Sequence, residues 1–117
     1  MMIERINIKS LCEYAMFETD GEVLRTAIEE IWNNDPTSTI ILDFSDVDMY
    51  ATMFFNASIG WLVLHHGEDT VRTHIITENM TKLGADTWKH SFENAITVAN
   101  DPQYKKILSE LDTTIDD

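Results

Sequence analysis

Two adjacent histidines, a cluster of acids, one thiol and one well-placed hydroxyl are the groups in this sequence that could do chemistry. His65-His66, with Glu68 and Asp69 close behind, offers nitrogen and oxygen donors of the kind that hold a divalent cation. Neighbouring residues on a helix point about 100° apart, so the two imidazoles cannot face one ion without a bend. A histidine near a helix C-terminus is also favoured by the dipole alone. His74 and His90 stand singly, and no metal site is expected. Asp43, Asp46 and Asp48 share the bend "DFSDVD", where acids cap and solvate a turn. Cys12, the sole cysteine, has no basic neighbour nearer than Lys9 and reads as buried and inert. No glycine loop cradles a phosphate and no serine sits in a nucleophile elbow. The sequence therefore nominates no catalytic residue and implies no cofactor.

The hydroxyl is Thr52. The apolar run Ile40-Ile41-Leu42 ends in the acidic bend, and the chain re-enters apolar sequence at Ala51-Thr52. A hydroxyl just before the first helical residues can accept a bond from a free backbone N–H, worth about 1 kcal/mol. The carboxyl edge of a sheet is also where α/β folds place ligands, and a helix N-terminus there favours an anion. Phosphorylation would add about −1.5 to −2 charges. The helix dipole would stabilise them, whereas Asp43, Asp46 and Asp48 would repel them. The helix predicted over 52–65 is apolar all round (Met53, Phe54, Phe55, Ile59, Trp61, Leu62), so it needs cover on most sides. Either neighbouring helices supply that cover, or Phe54, Phe55, Ile59 and Trp61 partly face a partner. Both readings are open from sequence.

The elements that position this junction follow from periodicity. Residues 2–8 read as a strand, and the bulk of Leu11, Tyr14, Met16 and Phe17 predicts a second strand over 11–17. "TDGEVLRTAIEEIWNN" changes to helical spacing, with Val23, Leu24, Ala27, Ile28, Ile31 and Trp32 on one side and Thr19 or Asp20 as cap. Pro36 stops it. "TIILDF" reads as a central strand buried on both faces. After the 52–65 helix and Gly67 comes a strand over 70–79, then a helix over 84–99. Pro102 opens a last helix whose face is Tyr104, Ile107, Leu108 and Leu111. The expected architecture is α/β, with a mixed four-stranded sheet flanked by about four helices.

At 117 residues the chain suits one domain. Twenty-one acids against eight bases give a net charge of −13, which argues against nucleic acid and against anionic membranes as partners. The stretch "MMIERINIK" is not a signal peptide, and no run reaches the roughly 18 apolar residues of a membrane span. A cytoplasmic location is the expectation.

"STIILDFSDVDMYATMFFNASIGWLV" resembles the middle of a STAS domain, the fold of bacterial anti-sigma factor antagonists. Leu42-Asp43-Phe44-Ser45-Asp46-Val47-Asp48 is similar to the family's strand end, Asp-(Leu/Phe)-Ser-x-Val. The nearer similarity is to the STAS-like family of unknown function, on Asp43, Phe44, Val47, Thr52, Phe54 and Gly60. "DGEVLRTAIEEI" and "HIITENMTKLGADTWKHSFENAI" extend the resemblance over roughly residues 10 to 97. Two departures stand out: Met53 occupies the position of a second hydroxyl, and Phe54-Phe55-Asn56 replaces Gly-Leu-Gly.

The resemblance implies a STAS-like domain over 1–111 with an acidic tail over 112–117, from a bacterial or phage source. It also implies a non-enzymatic regulatory module that binds a serine-kinase-like ATPase or another regulatory protein, with phosphorylation of the turn hydroxyl, here Thr52, as the switch. The expected contact surface is Ser45, Asp48, Thr52, Phe54, Phe55, Asn56 and Ile59, and Phe55→Asp is expected to abolish capture while sparing the fold. A partner with a basic rim would complement the acidic surround. The rival reading, from charge alone, is a small acidic inhibitor that imitates nucleic acid and occupies a basic groove on a nuclease-type target. Its binding would fall steeply with salt. The sequence carries no sign of oligomeric state.

Overall fold

A computed structural model of the chain describes residues 2–107. Strand β1 (Ile3–Asn7) runs straight into a short helix, α1 (Ile8–Cys12). Asn7 makes that turn, because its side chain accepts from Ser10 N at 2.9 Å and so satisfies a free N–H of the first turn. Ile8 and Cys12, four residues apart, then face the core. The strand expected over 11–17 is therefore not there. Of that segment only Ala15 makes a sheet-like bridge, to Tyr50, and Leu11, Tyr14 and Phe17 are exposed.

Helix α2 (Glu18–Asn34) buries Gly21, Leu24, Ile28 and Trp32 along one stripe. Its N-cap is Phe17, which makes no side-chain cap, so neither Thr19 nor Asp20 caps it; Glu18 and Asp20 instead lie in the positive first turn. Trp32 Nε1 donates to Ser38 O at 3.2 Å and ties the helix end to the next strand. That strand, β2 (Thr39–Asp43), is central. Ile40 and Leu42 are buried while Thr39, Ile41 and Asp43 are only partly covered, so one face is sealed rather than two.

The next helical run is α3 (Thr52–Phe55), a π-helical turn (Asn56–Gly60) and α4 (Trp61–His66). Gly67, at φ +93°, breaks it. Residues 68–74 then form α5 (Glu68–His74) and not the start of a strand. Glu68 and Asp69 suit its N-terminal turn, and Arg72 Nε donates back to Glu68 Oε2 at 2.7 Å. Only Ile75–Glu78 remains extended, as β3. Helix α6 (Lys82–Ala99) follows, capped by Thr81, whose hydroxyl accepts from Gly84 N at 3.1 Å. Residues 102–107 are helical, with Pro102 in the first turn. Leu108, Leu111 and the tail over 112–117 lie outside the described residues.

Among the described residues the sheet is three-stranded and wholly parallel, in the order β1-β2-β3, in place of the expected mixed four-stranded sheet. The reason is local: β1 closes into a capped helix, so no hairpin partner forms. Both crossovers move in the same direction across the sheet, and right-handed connections then put α2 and the α3–α4 run on one face. There α2 packs on α3 and the π-turn, and both pack on α6. The buried side chains form one hydrophobic cluster.

Candidate partner-binding site at the β2–α3 junction

The bend after β2 is held by Asp43. Its Oδ1 accepts from Ser45 Oγ (2.6 Å), Ser45 N (3.0 Å) and Asn79 Nδ2 (2.9 Å). Arg5 lies 3.5 Å from Asp43 Oδ2 and donates to Glu78 Oε1 at 2.7 Å, so one network joins the ends of all three strands. The donors to Asp43, with the Ser45 hydroxyl the largest influence and then Asn79, hold its carboxyl well below the usual range, at about 2. Ser45, expected at the contact surface, spends its hydroxyl on this turn. Phe44 and Val47 are buried on either side of Asp46, which takes φ +64°. The motif Asp-Phe-Ser-Asp-Val is therefore scaffolding that turns the chain.

Two segments meet beyond the bend. Ala51 N donates to Ala15 O at 2.9 Å, and the Ala15–Tyr50 bridge is parallel, so residues 14–17 run alongside 49–52. Ala51, not Thr52, is the N-cap of α3, and it makes no side-chain cap. Thr52 is the first helical residue and is exposed, and its hydroxyl forms no hydrogen bond among the described residues. The capping role that sequence offered for Thr52 is not what the structure shows.

The expected apolar contact residues are not on the surface. Phe54, Phe55 and Ile59 have no solvent exposure. The cause is the tight layering of α3 between α2 and α6. At Gly21 any Cβ would collide with Phe54 O and lie 2.8 Å from Ala57 Cβ, so glycine alone permits α2 to come this close. On the other side Gly84 leaves room for the Tyr50 ring, whose Cζ would be 2.5 Å from a Cβ there. Tyr50 stacks on Phe55 (6.0 Å, 12° between planes), and Phe55 meets Trp88 edge-on at 5.7 Å. The tyrosine is pinned by donating to Val47 O at 2.7 Å. The greasy helix is covered by its neighbours, and a surface made of Phe54, Phe55 and Ile59 is ruled out.

Other side chains occupy the surface of the junction. Met49 (58% exposed), Met53 (55%), Tyr14 (51%) and Phe17 (57%) flank Thr52 on the two paired segments. Tyr14 and Met49 share a depression of about 230 Å³ with Lys9, Glu13, Asp46 and Asp48. Met53 lies on a second one with Glu18, Glu22, Arg25 and Asn56. Asp48 and Asn56, both expected at the contact surface, are exposed here. Sequence reading missed Tyr14 and Phe17 because their bulk was assigned to a strand, and Met49 and Met53 because methionine on a bend carries no periodic signal.

The remaining reactive groups diverge. His65 Nδ1 lies 2.9 Å from Trp61 O, with its ring stacked on Trp61, whereas His66 Nε2 pairs with Glu29. No group of three or more His, Cys, Asp or Glu could hold a metal ion among the described residues. Cys12 is buried, and burial, helped by Asp20, pushes its thiol up to about 11. Among the described residues no helix is long and apolar enough to cross a membrane.

A family model described as a STAS-like domain of unknown function (DUF4325) matches residues 20–85, more than half of the chain. The chain belongs to this STAS-like family. Comparison with curated proteins finds no match, and comparison with solved structures finds none. The matched stretch of the STAS-like domain runs from the first turn of α2 to the start of α6. It contains the Asp43 turn, Thr52 and both exposed methionines, while Tyr14 and Phe17 lie just before it.

Proposed function

We propose that this STAS-like chain is a non-enzymatic regulatory module that binds a protein partner, such as a serine-kinase-like ATPase or another regulator, through the rim of the β2–α3 junction. The supporting observation is that four large exposed apolar side chains, Tyr14, Phe17, Met49 and Met53, lie on or next to two adjacent segments, with Tyr14 and Met49 lining one depression. Exposed apolar side chains that gather into one patch mark interaction sites. Glu13, Glu18, Glu22, Asp46 and Asp48 outnumber Lys9 and Arg25 there, so a partner with an apolar centre and a basic rim would complement this surface. Asp48, Thr52 and Asn56 belong to this surface. Phe54, Phe55 and Ile59 support it from inside.

Thr52 is the candidate switch. It is exposed, and among the described residues its hydroxyl makes no bond that modification would break. A phosphate there would sit between Met49 and Met53 and add charge to an already acidic rim, opposing release of water from the apolar centre.

Capture with the immobilised chain from its native cell tests this reading, with Met53→Asp and Thr52→Glu alongside. A partner held by wild type at moderate salt and lost by both variants is the expected result. An identical set of captured proteins with all three forms would remove this surface. Loss of the partner by modest salt alone would favour the acidic nucleic-acid mimic instead.

A further inference from the structure

The methionines divide by how far each is covered. Met16 and Met80 are partly buried, Met80 against the core, whereas Met2, Met49 and Met53 are each more than half exposed. Met49 lines the depression that holds Tyr14 and Asp48, and Met53 the one that holds Trp61 and Asn56, on either side of Thr52. A thioether reacts with a two-electron oxidant without first losing a proton, so its exposure governs the rate. The competing group is Cys12. It is 7% exposed, it donates to Asp20 O at 3.5 Å, and burial keeps it as the thiol when the thiolate is the reactive form.

We propose that Met49 and Met53 are a modification site for hydrogen peroxide, and that their oxidation to sulfoxide switches off the junction as a contact surface. In each step the thioether sulfur attacks one peroxide oxygen, so an S–O bond forms as the O–O bond breaks. Sulfur gives up two electrons. The other peroxide oxygen leaves as hydroxide and takes the proton from the new S–OH group to become water. The product carries a strong acceptor oxygen where an apolar side chain stood, and a partner that covers it strips away the water that satisfies it.

Neither methionine belongs to the buried cluster, so the fold does not depend on their staying apolar. Oxidation there is a change of surface and not an unfolding. It is also reversible, because methionine sulfoxide reductase returns the sulfoxide to the thioether. The effect on binding rests on the contact surface proposed above, whereas the oxidation itself rests on exposure alone. Met2 supplies an internal control. It is as exposed as the other two, but it sits beside Thr39, at the opposite end of β2 from the junction.

Titration of the full chain with hydrogen peroxide, mapped by peptide mass spectrometry, tests the chemistry. Met2, Met49 and Met53 should each gain one oxygen before Met16 and Met80 do, with Cys12 unmodified and the circular dichroism spectrum unchanged. Equal rates at covered and exposed methionines, earlier oxidation of Cys12, or loss of the spectrum overturns the proposal. Partition of the half-oxidised chain over the partner captured at moderate salt tests the consequence. Sulfoxide at Met49 or Met53 should be about ten-fold enriched in the unbound chain, and reductase should restore binding. Sulfoxide at Met2 should divide evenly between bound and unbound chain. Even division of all three sulfoxides overturns the switch. Should the untreated chain capture nothing, the contact surface itself fails and the switch fails with it, whatever the oxidation map shows.

Discussion

Phe55→Ala tests directly what holds this fold together. The side chain has no exposure, and its ring lies 5.2 to 6.1 Å from those of Phe44, Tyr50, Phe54 and Trp88. Truncating a phenylalanine so enclosed costs about 3–5 kcal/mol, since the rigid neighbours cannot collapse into the space. Native domains are stable by only about 5–15 kcal/mol, so the loss is a large fraction of the whole. With a urea slope of about 2 kcal/mol/M, the midpoint should fall by roughly 1.5–2.5 M. Urea titration followed by far-ultraviolet circular dichroism and tryptophan emission measures it, since Trp88 packs on the deleted ring. Met53→Ala, on the same helix but 55% exposed, is the control and should stay within about 0.5 kcal/mol of wild type. Phe55→Asp would bury an unpaired carboxylate and should leave no native tertiary signal, reversing the sequence-based expectation that it spares the fold. Should Phe55→Ala move the midpoint no further than Met53→Ala, the ring is not part of the core and the layering of α3 between α2 and α6 is wrong.

Two further changes probe the junction. The carboxyl of Asp43 is depressed to about 2 in the folded chain, against about 3.9 unfolded, so its stabilisation is present above the unfolded value and is lost as pH falls through the folded one. The stability gap between wild type and Asp43→Asn, from urea midpoints across pH, should hold steady above about pH 5 and shrink between about pH 4 and 2; a gap that grows on acidification contradicts this. Gly84→Ala sets two effects against each other. Helix propensity favours alanine by about 1 kcal/mol, but the new Cβ would meet ring atoms of Tyr50 at 2.5 to 2.8 Å. Overpacking of this kind costs about 1–3 kcal/mol, so the variant should be less stable with a changed near-ultraviolet spectrum, and a stabilised variant would show the Tyr50 pocket to be slack.

Long periodic segments were legible from sequence. The stripe of Leu24, Ile28 and Trp32 marked α2, and Phe92 and Ala95 marked α6, because a 3.6-residue repeat recurs enough times to stand above chance. Short segments were not. Residues 8–12 and 68–74 are too short for a repeat to stand out, and 68–74 holds a single apolar side chain, Val71; local bonds support the helix in each case. Asn7 accepts from Ser10 N in the first, and Glu68 accepts from Arg72 in the second. In each a helix stands where part of a strand was expected, and the sheet is shorter for it.

The junction divides along the same line. Sequence alone placed a turn at Asp43 to Asp48, a helix starting at Thr52, and an apolar girdle around that helix, since these follow from residue types and their order. Which part of the girdle would be hidden depended on how near two other helices could come. That distance is set by contacts remote in sequence, Gly21 against Phe54 and Gly84 against Tyr50. Only the folded chain could therefore seal Phe54, Phe55 and Ile59 inside and leave Met49, Met53, Tyr14 and Phe17 facing water.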